Sequence, residues 1–331
     1  MKKKDCAASI SCLSWLNFFS SFSPVFFGSW VARTLTDAGL LFGDRLILNV
    51  LCVAGIFTLP LVVSGVLTHY CCTRFASRNV LLTAKIAEVC ITLLGVAAAL
   101  PEKPGYKLLA VVLVYGVSYA FYRPALKQYI AFAVSKTELS RAIGKVECMT
   151  FLGIVLGAVC AASACDIASL HGISSVPSLA LPCCMAGYGM LYAARLWPDL
   201  PVMPRVRFAD LPRQWLDTFR EHPRYRELVL TGIAECYIFG AIILAAALSI
   251  QFIDARAAAF SSEIHLYATL AAVVIGASVG CLAAVGLSGR NVELGLVPPA
   301  VLLLTGSAVV LGVLPGYSDP FVGSGIWAVT C

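Results

Sequence analysis

Residues 143–165 have the sequence IGKVECMTFLGIVLGAVCAASAC, and this stretch decides the class of protein. Its two charged residues, Lys145 and Glu147, lie near its start, and no charge follows from Cys148 to Cys165. An apolar run of about 18 residues or more is typical of a helix that crosses the hydrocarbon core of a bilayer. The stretch therefore predicts a membrane-spanning helix.

The composition of the whole chain agrees with this interpretation. Of 331 residues, 60% are apolar and 13% are charged, and the mean hydropathy is +0.87. Soluble domains carry about 25% charged residues, so the composition excludes an ordinary soluble enzyme, a disordered chain and a disulfide-stapled secreted module. The 14 cysteines are scattered through apolar stretches, which favours reduced, buried thiols. The net charge of +6 is interpreted as loop charge of a membrane protein, with no nucleic acid as partner.

Apolar runs of helical length recur along the chain and predict an all-α polytopic membrane protein with nine full spans. The predicted spans are 11–33, 45–68, 79–100, 107–134, 143–165, 173–196, 228–250, 264–288 and 293–315. A tenth begins near Asp319, but the residues up to Cys331 rise only ~20 Å as a helix. The chain is therefore expected to be truncated or split.

One long basic loop divides the predicted spans into two groups. Residues 1–197 form a six-helix bundle, 198–227 a basic cytoplasmic loop, and 228–331 a partial second bundle. Two bundles joined in this way are typical of a secondary transporter.

The distribution of Lys and Arg predicts the orientation, because cytoplasmic loops carry an excess of both. Fifteen lie on the side of the N-terminus and five on the opposite side. The N-terminus and the 198–227 loop are therefore predicted to be cytoplasmic.

Charged residues within spans are rare and usually face a cavity or a partner. Lys85 and Glu88 share a helix face at i,i+3, as Arg123 and Lys127 do at i,i+4. Lys127 and Glu147 lie at similar depths on neighbouring spans, which predicts an ion pair. The alternative, that such charges only fix helix packing, stays open.

Arg123 lies near the predicted midplane, where no carboxylate was expected at its depth. A guanidinium facing a cavity is suited to an anionic head group such as phosphate. Asn17, Lys127, Glu147 and Glu235 are further candidates for substrate contact. Gly153-x-x-x-Gly157 and Gly276-x-x-x-Gly280 predict close packing of helices.

The sequence shows no catalytic signature. It has no G-x-S-x-G elbow and no P-loop, and its four histidines share no spacing that would hold a metal. No enzyme activity, cofactor or metal is therefore predicted.

Four segments resemble the bacterial lysophospholipid transporter family of the major facilitator superfamily. They are TRFASRNVLLTAKIAE (73–88), FYRPALKQY (121–129), GKVECMTFLGIVLG (144–157) and LSGRNVELGLVP (287–298), and they occur in the family's order. The matching charged positions are Lys85, Glu88, Lys127, Glu147, Arg290 and Glu293, and Arg74 and Arg78 belong to the family's cytoplasmic turn. This sequence departs from the family at Thr73, where the family has Asp, at His69, where it has Gly, and at Arg123, where it has Gly.

The resemblance implies the major facilitator fold and transport of lysophospholipid, chiefly lysophosphatidylethanolamine, across the inner membrane for reacylation. The implied partner is an acyltransferase and acyl-carrier-protein synthetase acting downstream, besides membrane lipids. It also implies gating or structural roles for Arg74, Arg78, Lys85, Glu88, Arg290 and Glu293. The alternatives are export of another amphipathic solute or drug, the membrane part of a lipid-remodelling acyltransferase, and a non-functional truncated remnant.

The predicted topology is tested by labelling from outside the cell. Because the 198–227 loop is predicted to be cytoplasmic, a cysteine introduced as Arg213→Cys should not react with a membrane-impermeant maleimide in intact cells. Lys103→Cys, on the predicted opposite side, is the control that should react. Labelling of Arg213→Cys in intact cells would contradict the topology.

Overall fold

A computed structural model of the chain describes residues 3–42, 46–100, 105–135 and 138–196, and the single positions 217, 220, 221, 276, 279, 280 and 283. These ranges contain helices and no strand. The helices are α1 (Lys3–Asp37), α2 (Leu46–Val63), α3 (Gly65–Arg74), α4 (Ser77–Ala99), α5 (Lys107–Ala133), α6 (Leu139–Leu170) and α7 (Ala180–Ala194), with a 3₁₀ turn at Val176–Leu179.

Five of the described helical segments are long and apolar enough to cross a membrane. They are Ile10–Asp37, Ser77–Ala99, Lys107–Ala133, Arg141–Leu170 and Val176–Ala194. They coincide with five of the first six predicted spans, so these five predictions are confirmed. The spans predicted from residue 228 onward lie outside the described ranges, apart from the single positions 276, 279, 280 and 283.

The second predicted span, 45–68, is covered by two consecutive helices, α2 and the first part of α3. They are separated at Ser64 alone, whose N–H still donates to the Pro60 carbonyl over 2.9 Å. Pro60 lies one turn earlier and has no N–H to donate to the helix. The Ser64 hydroxyl donates to the Pro60 carbonyl over 2.5 Å, and such back-bonding by serine bends helices. The apolar pattern of the sequence runs through this break, and therefore did not reveal it.

Helix α1 lies at the centre of the described bundle. It contacts α2, α5, α6 and α7, while α4 packs between α5 and α7, and α2 packs beside α5. Of the membrane-spanning stretch of α1, 72% is buried inside the protein. Each of the other four spanning stretches is only 28–39% buried. An aromatic series on α1, from Phe18 to Trp30, forms much of the apolar core. Four helices therefore pack around α1, namely α2, α5, α6 and α7.

The contact between α1 and α6 depends on two glycines. A Cβ at Gly153 would lie 2.6 Å from the Phe18 carbonyl oxygen, and one at Gly157 would lie 2.7 Å from that of Phe22. Both separations are too short for a real side chain, so the two backbones are closer than any other residue would permit. The predicted role of this glycine pair in helix packing is confirmed. In the second predicted motif, Gly276-x-x-x-Gly280, the first glycine is buried and the last is exposed. Most of the residues around them lie outside the described ranges.

The chain divides into two compact units, Met1–Val206 and Arg207–Cys331, and the seven described helices belong to the first. The finer predicted division into 1–197, 198–227 and 228–331 stays a prediction.

The close approach of α1 and α6 predicts that alanine destabilises the protein at Gly157 but not at Gly55. Gly157→Ala should lower the free energy of unfolding by about 1–3 kcal/mol, because its methyl group would press on the α1 backbone. Thermal unfolding of the purified protein in detergent measures the effect. Gly55→Ala is the matched control, since no atom lies within 4 Å of its added Cβ, and there alanine should be neutral or stabilising. Equal effects at both positions would contradict the close approach.

Candidate functional site

An ion pair between α5 and α6 lies at the centre of the candidate site. The Arg123 Nη1 donates to both oxygens of Glu147, over 2.9 and 3.0 Å. The guanidinium also lies 5.8 Å from the centre of the Tyr119 ring. The two charged side chains keep 31% and 23% of their surfaces exposed. The pair is therefore held in place by the protein while remaining accessible from outside it.

The predicted pair between Lys127 and Glu147 is wrong, because Glu147 binds Arg123. The prediction placed the start of the fifth span at residue 143, whereas α6 begins at Leu139. Glu147 therefore lies ~12 Å from the start of its helix, and Arg123 lies ~15 Å from the end of α5. Lys127 lies ~9 Å from that end, so depth alone favours neither cation. Lys127 is exposed, whereas the Arg123 Nη1 reaches both oxygens of Glu147. The expectation that Arg123 has no carboxylate at its depth is wrong, because Glu147 pairs with it over 2.9 Å.

A buried polar network joins this ion pair to α1. The Asn17 amide donates to the Val146 carbonyl over 3.0 Å and to the Thr150 hydroxyl. The Thr150 hydroxyl lies 3.3 Å from Glu147 Oε2, and the Tyr122 hydroxyl donates to Asn17 Oδ1 over 3.3 Å. Asn17 has no exposed surface. Both ends of the Asn17 amide thus hold α5 and α6, and its contact with a head group stays a prediction.

A second ion pair lies deeper, between Lys85 and Glu88 on α4. The two groups contact each other, as their i,i+3 spacing predicts, and their side chains are 0% and 8% exposed. The Lys85 ammonium lies 4.8 Å from the centre of the Tyr122 ring, and the bare α7 backbone at Gly189 leaves room for it. The Tyr122 ring thus contacts Lys85, and its hydroxyl is linked to the Arg123–Glu147 pair only through Asn17 and Thr150.

The two arginines of the α3–α4 turn have different partners. Arg78 donates to the carbonyls of Leu196 and Ala194 over 2.8 and 3.2 Å, which satisfies the end of α7. Arg74 donates to the Tyr70 hydroxyl and is exposed. A role of either in gating stays a prediction. Glu235, Arg290 and Glu293 lie outside the described residues.

Three residues that hold the site together were missed in the sequence: Tyr119, Tyr122 and Thr150. The signal that was available is spacing. Tyr119 precedes Arg123 by four residues, and Thr150 follows Glu147 by three, so each pair shares a helix face. Within the part of the chain that the structure describes, no group of three His, Cys, Asp or Glu side chains suits a metal, and ten cysteines are free thiols.

The geometry predicts that Arg123 and Glu147 are coupled and that Lys127 is not. Arg123→Gln and Glu147→Gln should each destabilise the protein. The double variant should lose less than the sum of both, with a coupling of roughly 0.5–3 kcal/mol. Lys127→Gln combined with Glu147→Gln is the matched control and should be additive. Thermal unfolding of the three single and two double variants gives both coupling energies, and additivity for Arg123 and Glu147 would contradict the pairing.

No protein-family model and no curated protein sequence matches the chain. Solved structures do match it along its length. The human organic anion transporter MFSD10 superposes with a TM-score of 0.71 at 16% identity, covering 100% of this chain and 83% of that one. A bacterial homologue of the human lysosomal transporter Spinster, inward-facing and unoccupied, gives 0.59 at 14% identity over 100% and 73%. The D-xylose–proton symporter gives 0.56 at 16% identity over 98% and 79%.

These three neighbours are transporters of the major facilitator type, and the likeness covers almost the whole of this chain. At such low identity it bears on the fold alone. The chain is an all-α, multi-pass membrane protein with the major facilitator fold.

Proposed function

We propose that this protein is a membrane transporter of the major facilitator type that moves lysophospholipid, with lysophosphatidylethanolamine as its substrate. The observation that carries the proposal is the partly exposed Arg123–Glu147 ion pair. The four segments that resemble the lysophospholipid transporter family support it, and so does the fold.

Exposure separates the two ion pairs of the bundle. Lys85 and Glu88 are almost completely buried, so no ligand reaches them without displacing a helix. Arg123 and Glu147 keep roughly a quarter to a third of their surfaces exposed. Charges at membrane depth that face an accessible surface commonly mark a substrate pathway. We therefore assign binding of the head group to Arg123 and Glu147, and a structural role to Lys85 and Glu88.

The head group of lysophosphatidylethanolamine has the same two charges as this ion pair. Its phosphate suits the planar guanidinium of Arg123, which binds two oxygens at once. Its ammonium suits the carboxylate of Glu147. Binding therefore exchanges one ion pair for two protein–ligand ion pairs, so that neither side chain is left with an unpaired charge. A charge that is removed from water without a partner destabilises the complex.

An organic anion is the second candidate, and the likeness to MFSD10 favours it. Such a substrate would pair with Arg123 but would leave Glu147 without a cation. The two candidates therefore differ in what they require of Glu147: a zwitterion uses its charge, and an anion is hindered by it.

The place of the protein in lipid metabolism is part of the same proposal. Transport would deliver lysophospholipid across the inner membrane to an acyltransferase and acyl-carrier-protein synthetase for reacylation, with the N-terminus cytoplasmic. Lys127, Arg290 and Glu293 match the family's positions but have no assigned contact in this proposal.

Transport by purified protein in liposomes tests the head-group assignment. Arg123→Gly should fold yet bind lysophosphatidylethanolamine about 10-fold or more weakly, because a charge-assisted hydrogen bond contributes about 1.5–3 kcal/mol. Arg123→Lys should be intermediate, since a point charge replaces the planar fork. Unchanged binding by a well-folded Arg123→Gly variant would remove Arg123 from the site.

Glu147→Gln separates the two candidate substrates. It should weaken binding of lysophosphatidylethanolamine and leave or improve that of the anionic lysophosphatidylglycerol. Lys127→Gln is the matched control and should change neither. If wild type prefers the anionic lipid, and Glu147→Gln strengthens binding of that lipid without weakening that of lysophosphatidylethanolamine, the zwitterion assignment is wrong and an organic anion is favoured.

A further inference from the structure

An apolar groove outside the candidate site runs along α3, α4 and α5. It encloses about 460 Å³. On α4 it is lined at positions 80, 83, 84, 87 and 91, and on α5 at 114, 117, 118 and 121. Both sets follow the spacing of one helix face. Neither Arg123 nor Glu147 lines it, so the groove is distinct from the site proposed for transport.

The length of the groove matches one leaflet of a bilayer. Along α4 it extends from Asn79 to Ile91, a rise of ~18 Å, against roughly half of the ~30 Å hydrocarbon core. Its deep end is formed by Ile91 and Val114, and its other end by Asn79 and Phe75 at the α3–α4 turn. An extended acyl chain entering from that turn would fill it.

A positive charge lies at the turn end. Arg74 follows the groove residue Cys71 by three positions, on the same side of α3, and directly precedes Phe75. Its Nη1 donates to the Tyr70 hydroxyl over 2.5 Å, and it is exposed. In the described part of the chain no carboxylate lies within ion-pair distance of it. Its neighbour Arg78 is engaged with the end of α7 and does not compete for an anion.

From this arrangement we propose that the groove binds one acyl chain of an anionic diacyl phospholipid, whose phosphate contacts Arg74. Water in so apolar a groove would lack hydrogen-bond partners, whereas bilayer lipid is always present at high concentration. Lipid tails are as apolar as the groove, so burial alone does not select the occupant. Selection comes from the head group, and basic sites at the ends of transmembrane helices are suited to anionic lipids.

The site is tested with the full chain purified in detergent and phosphatidylglycerol carrying a photoactivatable group in its acyl chain. Cross-linked positions are mapped by mass spectrometry. Labels should concentrate on the groove faces of α4 and α5, with phosphatidylglycerol preferred to phosphatidylcholine by about fivefold, the factor of one arginine near an anionic surface. Labels spread evenly over exposed residues such as Leu93 and Leu152 would overturn the proposal.

Two variants with matched controls separate the two parts of the site. Arg74→Gln should abolish the fivefold preference, while Arg141→Gln, which removes another exposed cation, should keep it. Ala87→Trp fills the groove and should abolish labelling there, while Ala97→Trp, exposed on the same helix, should not. If Ala87→Trp fails to fold, the wild-type label map still decides.

Competition with lysophosphatidylethanolamine identifies the source of the lipid. A site for bilayer phospholipid should keep its label at concentrations of lysolipid that saturate transport. The groove should also be labelled in the Arg123→Gly variant. Loss of the label under either condition would make the groove part of the transport route and would overturn the assignment to a bilayer lipid. Equal labelling by both diacyl lipids in wild type would overturn the role of Arg74.

Discussion

The backbone contact between α1 and α6 is the constraint on which the rest of the described bundle depends. It exists because Gly153 and Gly157 present no side chain to the carbonyls of Phe18 and Phe22. Within a bilayer, helices gain little from apolar burial and associate through close packing and hydrogen bonds. Once α6 lies this near to α1, the Asn17 amide reaches the α6 backbone and Thr150.

The polar groups of the bundle follow from that contact. Asn17 fixes α6 in rotation and height, and this places Glu147 opposite Arg123 on α5. Tyr122 then connects this pair to Lys85 and Glu88, with its hydroxyl on Asn17 and its ring below the Lys85 ammonium. A buried charge without a partner is strongly destabilising, so each group of the network restricts where its neighbours lie. The one part of the network that stays accessible is the Arg123–Glu147 pair, which is why the substrate is assigned there.

The same bundle explains two differences from the expected picture. The apolar pattern of residues 45–68 continues through Ser64, yet the helix is interrupted there, where the serine hydroxyl binds the Pro60 carbonyl. Helix α6 begins earlier than its apolar run, since a polar first turn is tolerated where a helix leaves the membrane. Four residues at that end place Glu147 ~6 Å deeper, midway in depth between Lys127 and Arg123. The rotation of α6, which Asn17 fixes, then decides which cation it meets.

The sequence by itself determined the class of protein, the positions of five spans and the face shared by Lys85 and Glu88. Those features depend on local composition and on helical periodicity, which the residues carry directly. The sequence also marked Gly153 and Gly157 as a point of helix contact, and Arg123 and Glu147 as charged residues within spans. Only the tertiary structure decided the partners: Arg123 with Glu147, Asn17 with α6, and Arg78 with the end of α7. Partners depend on the height and rotation of one helix against another, and a shift of a single turn, 5.4 Å, exchanges one neighbour for the next.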